Sequence, residues 1–277
     1  MVHPLVRFEE NSLSLDVAAR KDWIVVLPLG AYEQHGPHLP MDTDTIIADG
    51  LVDRLISILP AELPVTFMPV ESIGYSIEHM YADGTRTMSY RDAIERWLAI
   101  IDKLHTLGIH KVLIFNSHGG NSPLISIVAT EARVRFSMLV AFTSWSRFVI
   151  PDDIFSSYEK EIGIHGGEIE TSMMLALAPN LVNMDLSKNF SSRQLEFLQN
   201  FVYLRAYGLH SFGWTMEDLN LEGVVGNALS ATSEKGERLL SHLSSCFIHL
   251  LRDIHAFDLG IFKKNTKNAI SVNSKLD

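Results

Sequence analysis

The sequence predicts an α/β fold with a mostly parallel sheet, and three observations lead to that prediction. First, apolar runs without polar alternation, such as residues 23–29 (WIVVLPL), are typical of parallel strands covered on both faces. Second, these runs alternate with segments of helical periodicity, as in repeated strand–helix–strand units. Third, metal-binding residue types cluster directly after strands, where open α/β sheets place their active sites.

The predicted elements follow one another in a regular order. Strands are predicted at residues 23–29, 64–70, 111–115 and 138–145. Helices are predicted at residues 45–59, 89–107 and 121–136, in a segment ending near residue 177, and at residues 233–255. Ser89 and Asp92 have the spacing of a capping box, and Asn121 is placed to cap the third helix.

The length of the chain is consistent with one large domain. With 277 residues, of which 47% are hydrophobic, it can bury a sizeable core. We expect one domain over residues 1–262, because the sequence shows no repeat and no low-complexity linker. Residues 263–277 are polar, and we expect them to form a mobile tail.

The acidic composition restricts the class of partner. The formal net charge of −10 disfavours nucleic acid and anionic membranes, which require basic patches, and favours a small polar substrate. The apolar runs fall short of the roughly 18 residues of a membrane helix, and no signal peptide is visible. Cys246 is the only cysteine, so no disulfide framework is expected. We therefore expect a cytoplasmic protein that binds neither nucleic acid nor membrane.

Carboxylate and imidazole side chains concentrate at three junctions between elements. In chain order they are Glu33, His35, His38, Asp42, Asp44, His118, His165, Glu168 and Glu170. Glu33 and His35 are two residues apart, so an extended backbone points both to the same side. His118 lies in a glycine-rich turn that lets the backbone approach closely. Mixed histidine and carboxylate ligands suit a divalent ion such as Zn, Mn or Fe.

The number of ligands indicates two ions rather than one. The five candidates are Glu33, His35, Asp44, His118 and Glu170. Two ions bridged by Asp44 would use all five, and such ions, about 3.5–4 Å apart, share a hydroxide nucleophile and polarise a carbonyl. His165 is then free for proton transfer, for which a near-neutral pKa is useful.

Each candidate ligand also has a structural interpretation. Asp44 could merely cap the helix that follows it, and Asp42 competes for either role. His118 could bond to backbone in its turn. Glu168 could replace Glu170 as a ligand, or either carboxylate could simply favour a helix N-terminus. The convergence of three ligand-bearing junctions in one chain favours the metal site.

Three motifs resemble those of the creatininase (creatinine amidohydrolase) family. They are residues 30–44 (GAYEQHGPHLPMDTD), 116–121 (NSHGGN) and 165–172 (HGGEIETS), with weaker matches in residues 76–85 and 223–236. The resemblance implies a three-layer α/β/α sandwich with a mostly parallel sheet and a dinuclear metal site. It also implies hydrolysis of cyclic or linear C–N amide bonds, and assembly as a homo-oligomer, often a hexamer.

The resemblance implies roles for individual residues. Matches to metal ligands are Glu33, His35, Asp44 and His118. His165 matches a residue implicated in proton transfer, and Glu170 matches the acidic residue of the third motif. Within the matched motifs, Ser76 and Gly119 are predicted to contact the substrate.

The chain departs from creatininase at positions that bear on the substrate. Gly120 stands where creatininase has a glutamate ligand, so the fifth ligand is Glu170, Glu168 or water. Residues 161–164 (EIGI) replace tryptophan and acidic residues, which argues against creatinine. We predict a metal-dependent amidohydrolase acting on a small cyclic amide or formamide. The alternatives are a metal-dependent peptidase of a peptide-maturation pathway and a non-catalytic small-molecule-binding relative. His38 and Asp42 are predicted to have supporting roles only.

Overall fold

A four-stranded parallel sheet lies at the centre of the computed structural model, which describes residues 6–9 and 20–262. The strands are β1 (Ile24–Leu29), β2 (Val65–Phe67), β3 (Lys111–Asn116) and β4 (Leu139–Ser144), in the spatial order β2-β1-β3-β4. Every neighbouring pair is parallel, which confirms the predicted sheet. β2 is shorter than predicted because Pro69 cannot donate a ladder hydrogen bond.

Eight α-helices accompany the sheet in the described part of the chain. They are α1 (Thr43–Ile58), α2 (Tyr90–Thr106), α3 (Ser122–Phe136), α4 (Ser157–Ile162), α5 (Glu168–Leu177), α6 (Gln194–Asn200), α7 (Met216–Leu219) and α8 (Ser233–Ala256). Two further short strands, β5 (Asn189–Phe190) and β6 (Gly226–Asn227), form an antiparallel pair. The predicted cap of α2 is present, since Ser89 Oγ accepts a hydrogen bond from the Asp92 amide at 3.1 Å.

The central sheet is covered on both faces, as predicted for a three-layer sandwich. Successive strand residues point to opposite faces, so Ile24 and Val26 of β1 pack with α1, α5 and α8. Val25 and Leu27 pack instead with α2 and α3. All residues of β1 and β3 are buried, which explains why these strands show no polar alternation.

Two sequence predictions concern regions outside these elements. The polar tail at residues 263–277 lies outside the described residues, and the single domain over residues 1–262 stays a prediction. Over residues 6–9 and 20–262, none of the helices combines the length and apolarity needed to cross a membrane.

Candidate metal centre

The candidate ligands meet because the central strands β1 and β3 end at the same edge of the sheet. Leu29 and Asn116, the last residues of these strands, are register partners. The chain leaves β1 toward Glu33 and His35, and leaves β3 toward His118. Asp44 and Glu170 arrive from the first turns of α1 and α5. The structure therefore brings together all five predicted ligands.

The side chain of Asn121 fixes the two strand-end loops against each other. It was predicted to cap α3, and that prediction is wrong, because the side chain makes no capping hydrogen bond. Instead its Nδ2 donates to the Gly30 carbonyl at 3.1 Å, and its Oδ1 accepts from the Tyr75 amide at 2.9 Å. A buried amide can satisfy only a few partners, and this one is already bonded to the loops that carry Gly30 and Tyr75, so it does not cap the helix.

The five ligands form two donor sets that share Asp44. In the first set, His118 Nδ1 lies 3.1 Å from Glu33 Oε1 and 3.2 Å from Asp44 Oδ2. In the second set, His35 Nε2 lies 3.4 Å from Asp44 Oδ1 and 3.8 Å from Glu170 Oε2. Ligands bound to one ion at 2.0–2.1 Å in tetrahedral geometry lie about 3.3–3.4 Å apart. Each Asp44 oxygen faces a different set, which is the geometry of a bridging carboxylate.

Several ligand atoms are buried without a hydrogen bond. Both carboxylate oxygens of Glu33, together with His35 Nε2 and Asp44 Oδ2, form none that satisfies distance and angle among the described residues. Leaving buried charged groups unpaired costs several kcal/mol, on the order of 3–5 when a partner is missing. Divalent cations would pair with all four atoms, so these residues fit a metal site.

Backbone carbonyls orient the imidazole rings of His118 and His35. His118 Nε2 lies 2.8 Å from the Tyr75 oxygen, and His35 Nδ1 lies 3.0 Å from the Glu33 oxygen. A carbonyl can only accept, so each of these nitrogens carries a proton. The opposite nitrogen of each ring therefore points toward the cluster, where a metal ion would replace any proton it carries, as ligation requires.

The pKa values show how strongly the buried groups interact. Burial alone would lower the pKa of His35, but Asp44 and Glu170 outweigh it and raise the value to about 9. Burial raises the pKa of Glu170 to about 7. Burial also raises the pKa of Glu33, yet His118 and other nearby histidines hold it well below its usual range. The carboxylates thus attract positive charge to the centre of the cluster.

Most of the chain matches one known protein family. The family model described as creatinine amidohydrolase matches residues 10–251. The chain belongs to the creatininase family. The mycofactocin precursor peptide peptidase of Mycolicibacterium smegmatis is 28% identical over 222 residues, which cover 79% of this chain and 81% of the peptidase. The creatinine amidohydrolase of Pseudomonas putida is 29% identical over 183 residues, 60% of this chain and 69% of that protein.

A solved structure confirms the predicted fold class. A mutant creatininase described as the Zn-Zn type has 25% sequence identity and a TM-score of 0.70, covering 90% of this chain and 98% of that one. The resemblance inferred from the motifs is thereby confirmed, and so is the α/β sandwich of the creatininase family.

The departure from creatininase at Gly120 has a steric reason. A Cβ atom at this position would lie 2.3 Å from the Tyr75 carbonyl oxygen and 2.5 Å from both Glu78 Oε1 and His118 Nε2. No side chain fits there without movement of its neighbours. This creatininase-family chain therefore cannot present a ligand from position 120, and Glu170 is the carboxylate that faces His35.

The remaining candidates, Glu168, Asp42 and His38, belong to neither donor set. Glu168 pairs with Lys235 Nζ, which accounts for its charge. Asp42 precedes α1 without forming a side-chain cap. His38 is buried, and its Nε2 lies 2.9 Å from Thr171 Oγ1. These contacts suit supporting roles for the three residues.

The two predicted substrate contacts lie in different places. Gly119 lines the cavity beside the cluster. Ser76 is fully buried, and its hydroxyl lies 3.3 Å from His118 Nε2, the nitrogen that faces away from Glu33 and Asp44. The cavity wall contains Tyr75 and Ile77 on either side of it. Substrate binding by Ser76 stays a prediction, and its observed contact is with a ligand histidine.

His165 lies on the cavity wall between other imidazoles. Its Nε2 donates to the Gln34 carbonyl at 2.8 Å, so Nδ1 keeps its lone pair and lies 3.7 Å from Glu33 Oε1. Burial, reinforced by His35 and His79, lowers the pKa of His165 well below its usual value. The ring is thus held in one orientation, with its unprotonated nitrogen facing the cluster. The near-neutral pKa expected from the sequence is not found, because the ring is buried beside two other imidazoles.

Sequence reasoning missed His79 as a member of the cluster. Its ring packs on His165 with centroids 4.4 Å apart, and its Nε2 lies 3.4 Å from Glu33 Oε1. The residue belongs to a matched motif, and that was its only signal. Unlike His118, His79 does not follow a strand. The only neighbouring residue of a metal-binding type is Glu78.

A cavity of about 560 Å³ opens onto the cluster. Its apolar wall contains Trp145, Ile150, Ile164, Phe212, Trp214 and Met216. Lys160 and Glu78 add polar groups to this wall. The volume is in the range of small-molecule sites, and the mainly apolar wall with few polar groups is typical of them.

Proposed function

We propose that this chain is a metal-dependent amidohydrolase that cleaves the C–N amide bond of a small polar substrate. The observation that carries the proposal is the pair of donor sets sharing Asp44, whose unpaired buried atoms border the cavity. Glu33, Asp44 and His118 would hold one divalent ion, and His35, Asp44 and Glu170 the other. Zn, Mn and Fe each suit these donors. Such ions supply Lewis-acid polarisation of a carbonyl and an activated water at neutral pH.

The protein itself supplies orientation and a proton carrier. The Gln34 carbonyl fixes the ring of His165, so its Nδ1 can accept a proton at the cavity wall and return it to the leaving nitrogen. Membership of the creatininase family supports this role, since His165 occupies the matching position. The cavity wall excludes water from the cluster side, which strengthens the electrostatic interactions there.

A metal-dependent peptidase is the second candidate function. It is favoured by the similarity to the peptidase of M. smegmatis and by the aromatic wall of Phe212 and Trp214, which can bind an apolar side chain of a peptide. A homo-oligomer, with the hexamer as the commonest form implied by the family resemblance, and a cytoplasmic location stay predictions.

Metal content and turnover of matched variants test the proposed function. We expect the purified protein to bind two divalent ions per chain and to hydrolyse at least one amide from a panel of creatinine, formamidopyrimidines and short peptides. Asp44→Asn should lose both ions and turnover, because it removes the shared ligand. Asp42→Asn is the matched control and should keep both, since Asp42 belongs to neither donor set. A wild-type protein that takes up no Zn, Mn or Fe would refute the proposal.

A further inference from the structure

His79 borders the first donor set, and neither donor set accounts for it. Its side chain is only 2% exposed. Its Nε2 points at the carboxylate of Glu33, and its ring is packed against His165. A buried imidazole aimed at an unpaired carboxylate requires an explanation, because burying polar groups without partners is costly.

Local hydrogen bonds hold His79 in this position. It ends a short 3₁₀ helix, in which its backbone amide donates to the Ser76 carbonyl at 3.1 Å. The Ser76 amide in turn donates to Thr87 Oγ1 at 2.8 Å. A side chain on such a braced turn is preorganised for binding, as ligands of a metal site need to be.

A hydrogen bond to Glu33 does not explain the contact. The Nε2–Oε1 distance is 3.4 Å, whereas N–H···O hydrogen bonds in proteins cluster at about 2.9–3.0 Å. Glu33 Oε1 forms no hydrogen bond that satisfies the geometric criteria, despite this neighbour. The two groups are therefore close but unbonded.

The separation does match that of two ligands on one ion. Ligands at 2.0–2.1 Å in tetrahedral geometry lie about 3.3–3.4 Å apart. The same Glu33 oxygen lies 3.1 Å from His118 Nδ1, a member of the first donor set. Ligand atoms of Glu33, His79 and His165 also lie within 4.8 Å of one another, which places the His79 imidazole beside the ligand Glu33, on the side of the cluster that faces His165.

We propose that His79 is a direct ligand of the ion held by Glu33, Asp44 and His118. This inference rests on the proposed function, since it adds a fourth donor to one of its two metal positions. The position then has two imidazoles and two carboxylates. Imidazole favours Zn over Mn, for which oxygen ligands are more suitable, so His79 biases this position toward zinc.

The test compares His79→Ala and His79→Gln in the full chain. Metal-free proteins are titrated with Zn²⁺ against a chromophoric chelator, and the visible spectrum of each Co²⁺-loaded protein is recorded. Loss of an outer-shell partner weakens metal binding about 10–100-fold, so loss of a direct ligand should exceed that range in both variants. The Co²⁺ spectrum should change as well, because it reports the coordination of the ion. His110→Gln replaces a half-buried histidine that directly precedes β3, at the opposite end of that strand from the cluster, and should keep wild-type zinc affinity.

The glutamine variant separates the two possible roles of His79. Glutamine can donate a hydrogen bond to Glu33 but is a poor zinc ligand, so retained affinity in His79→Gln alone would overturn the proposal and make His79 a positioning residue. Retained zinc affinity in both variants would also overturn the proposal that His79 is a ligand. The proposed function would still stand in that case, because it depends on zinc binding by the wild-type protein. If His79→Ala fails to fold, as shown by thermal unfolding of the metal-free protein, the glutamine variant still decides the question.

Discussion

Gly119 and Gly120 are adjacent, yet their surroundings differ so much that the same substitution should have opposite effects. A Cβ at position 119 meets no atom within 4 Å. At position 120 it would lie 2.3 Å from the Tyr75 carbonyl oxygen, and 2.5 Å from Glu78 and His118. Because a backbone oxygen cannot move away as cheaply as a flexible side chain, Gly120→Ala forces the loop around the cluster apart.

The expected magnitude follows from overpacking. Adding a methyl group to a tightly packed position costs about 1–3 kcal/mol of unfolding free energy. In a chain of this size, each kcal/mol lowers the melting temperature by about 2–4 °C, so Gly120→Ala should lose about 2–12 °C. Gly119→Ala should be neutral or slightly stabilising, because alanine reduces the conformational freedom of the unfolded chain.

Thermal unfolding of the two metal-free variants provides the assay, and a zinc titration gives a second measurement. The clash at Gly120 involves His118 Nε2, so displacement of this ring should also weaken zinc binding, about 10–100-fold if it acts as an outer-shell change does. Equal melting temperatures for Gly119→Ala and Gly120→Ala would refute the steric reasoning. Unchanged zinc affinity in an unstable Gly120→Ala protein would show that His118 is not displaced.

Three further variants probe the cluster and its support. His118→Ala should reduce zinc content measured by elemental analysis, and unchanged occupancy would remove this residue from the ligand set. Glu159→Gln should cost about 1–3 kcal/mol in denaturant unfolding, because its two oxygens accept the backbone amides of Glu168 and Asn227 and an amide nitrogen would leave one donor unpaired. Glu161→Gln, on the exposed side of the same helix, should leave the unfolding free energy within experimental error.

The sheet and its ligand-bearing edge could be predicted because they depend on local pattern. Unbroken apolar runs identified β1 and β3, and parallel strands end at the same edge, so Glu33 and His118 were expected at that edge. They are close together because β1 and β3 are neighbours in the sheet, which only the structure shows. The role of Asp44 was more difficult to predict, because the sequence was also consistent with a residue that only caps a helix. Its bridging position depends on the angle at which α1 leaves the loop, and that angle is set by packing against α5 and α8.

The choice between Glu168 and Glu170 could not be made from sequence, because both lie in the first turn of α5. Two residues apart on a helix, they point in directions about 200° apart, since each residue turns the helix by about 100°. One of them must therefore face away from the cluster. The structure shows which one it is: Glu168 pairs with Lys235 of α8, whereas Glu170 faces His35.

Glu159 positions the residues at the start of α5 without touching a metal ligand. The Glu159 carboxylate accepts the Glu168 amide at 2.6 Å and the Asn227 amide at 2.9 Å. A Cβ at Gly163, Gly167 or Gly226 would lie 2.0–2.5 Å from its Oε1, so only glycine allows the three backbone segments to surround it. Burial raises the pKa of this carboxyl, which means that burying its charge is unfavourable. Its hydrogen bonds to backbone amides fix the turn that carries His165 and Glu170. Glycine at positions 163, 167 and 226 is therefore explained by a carboxylate outside the metal cluster.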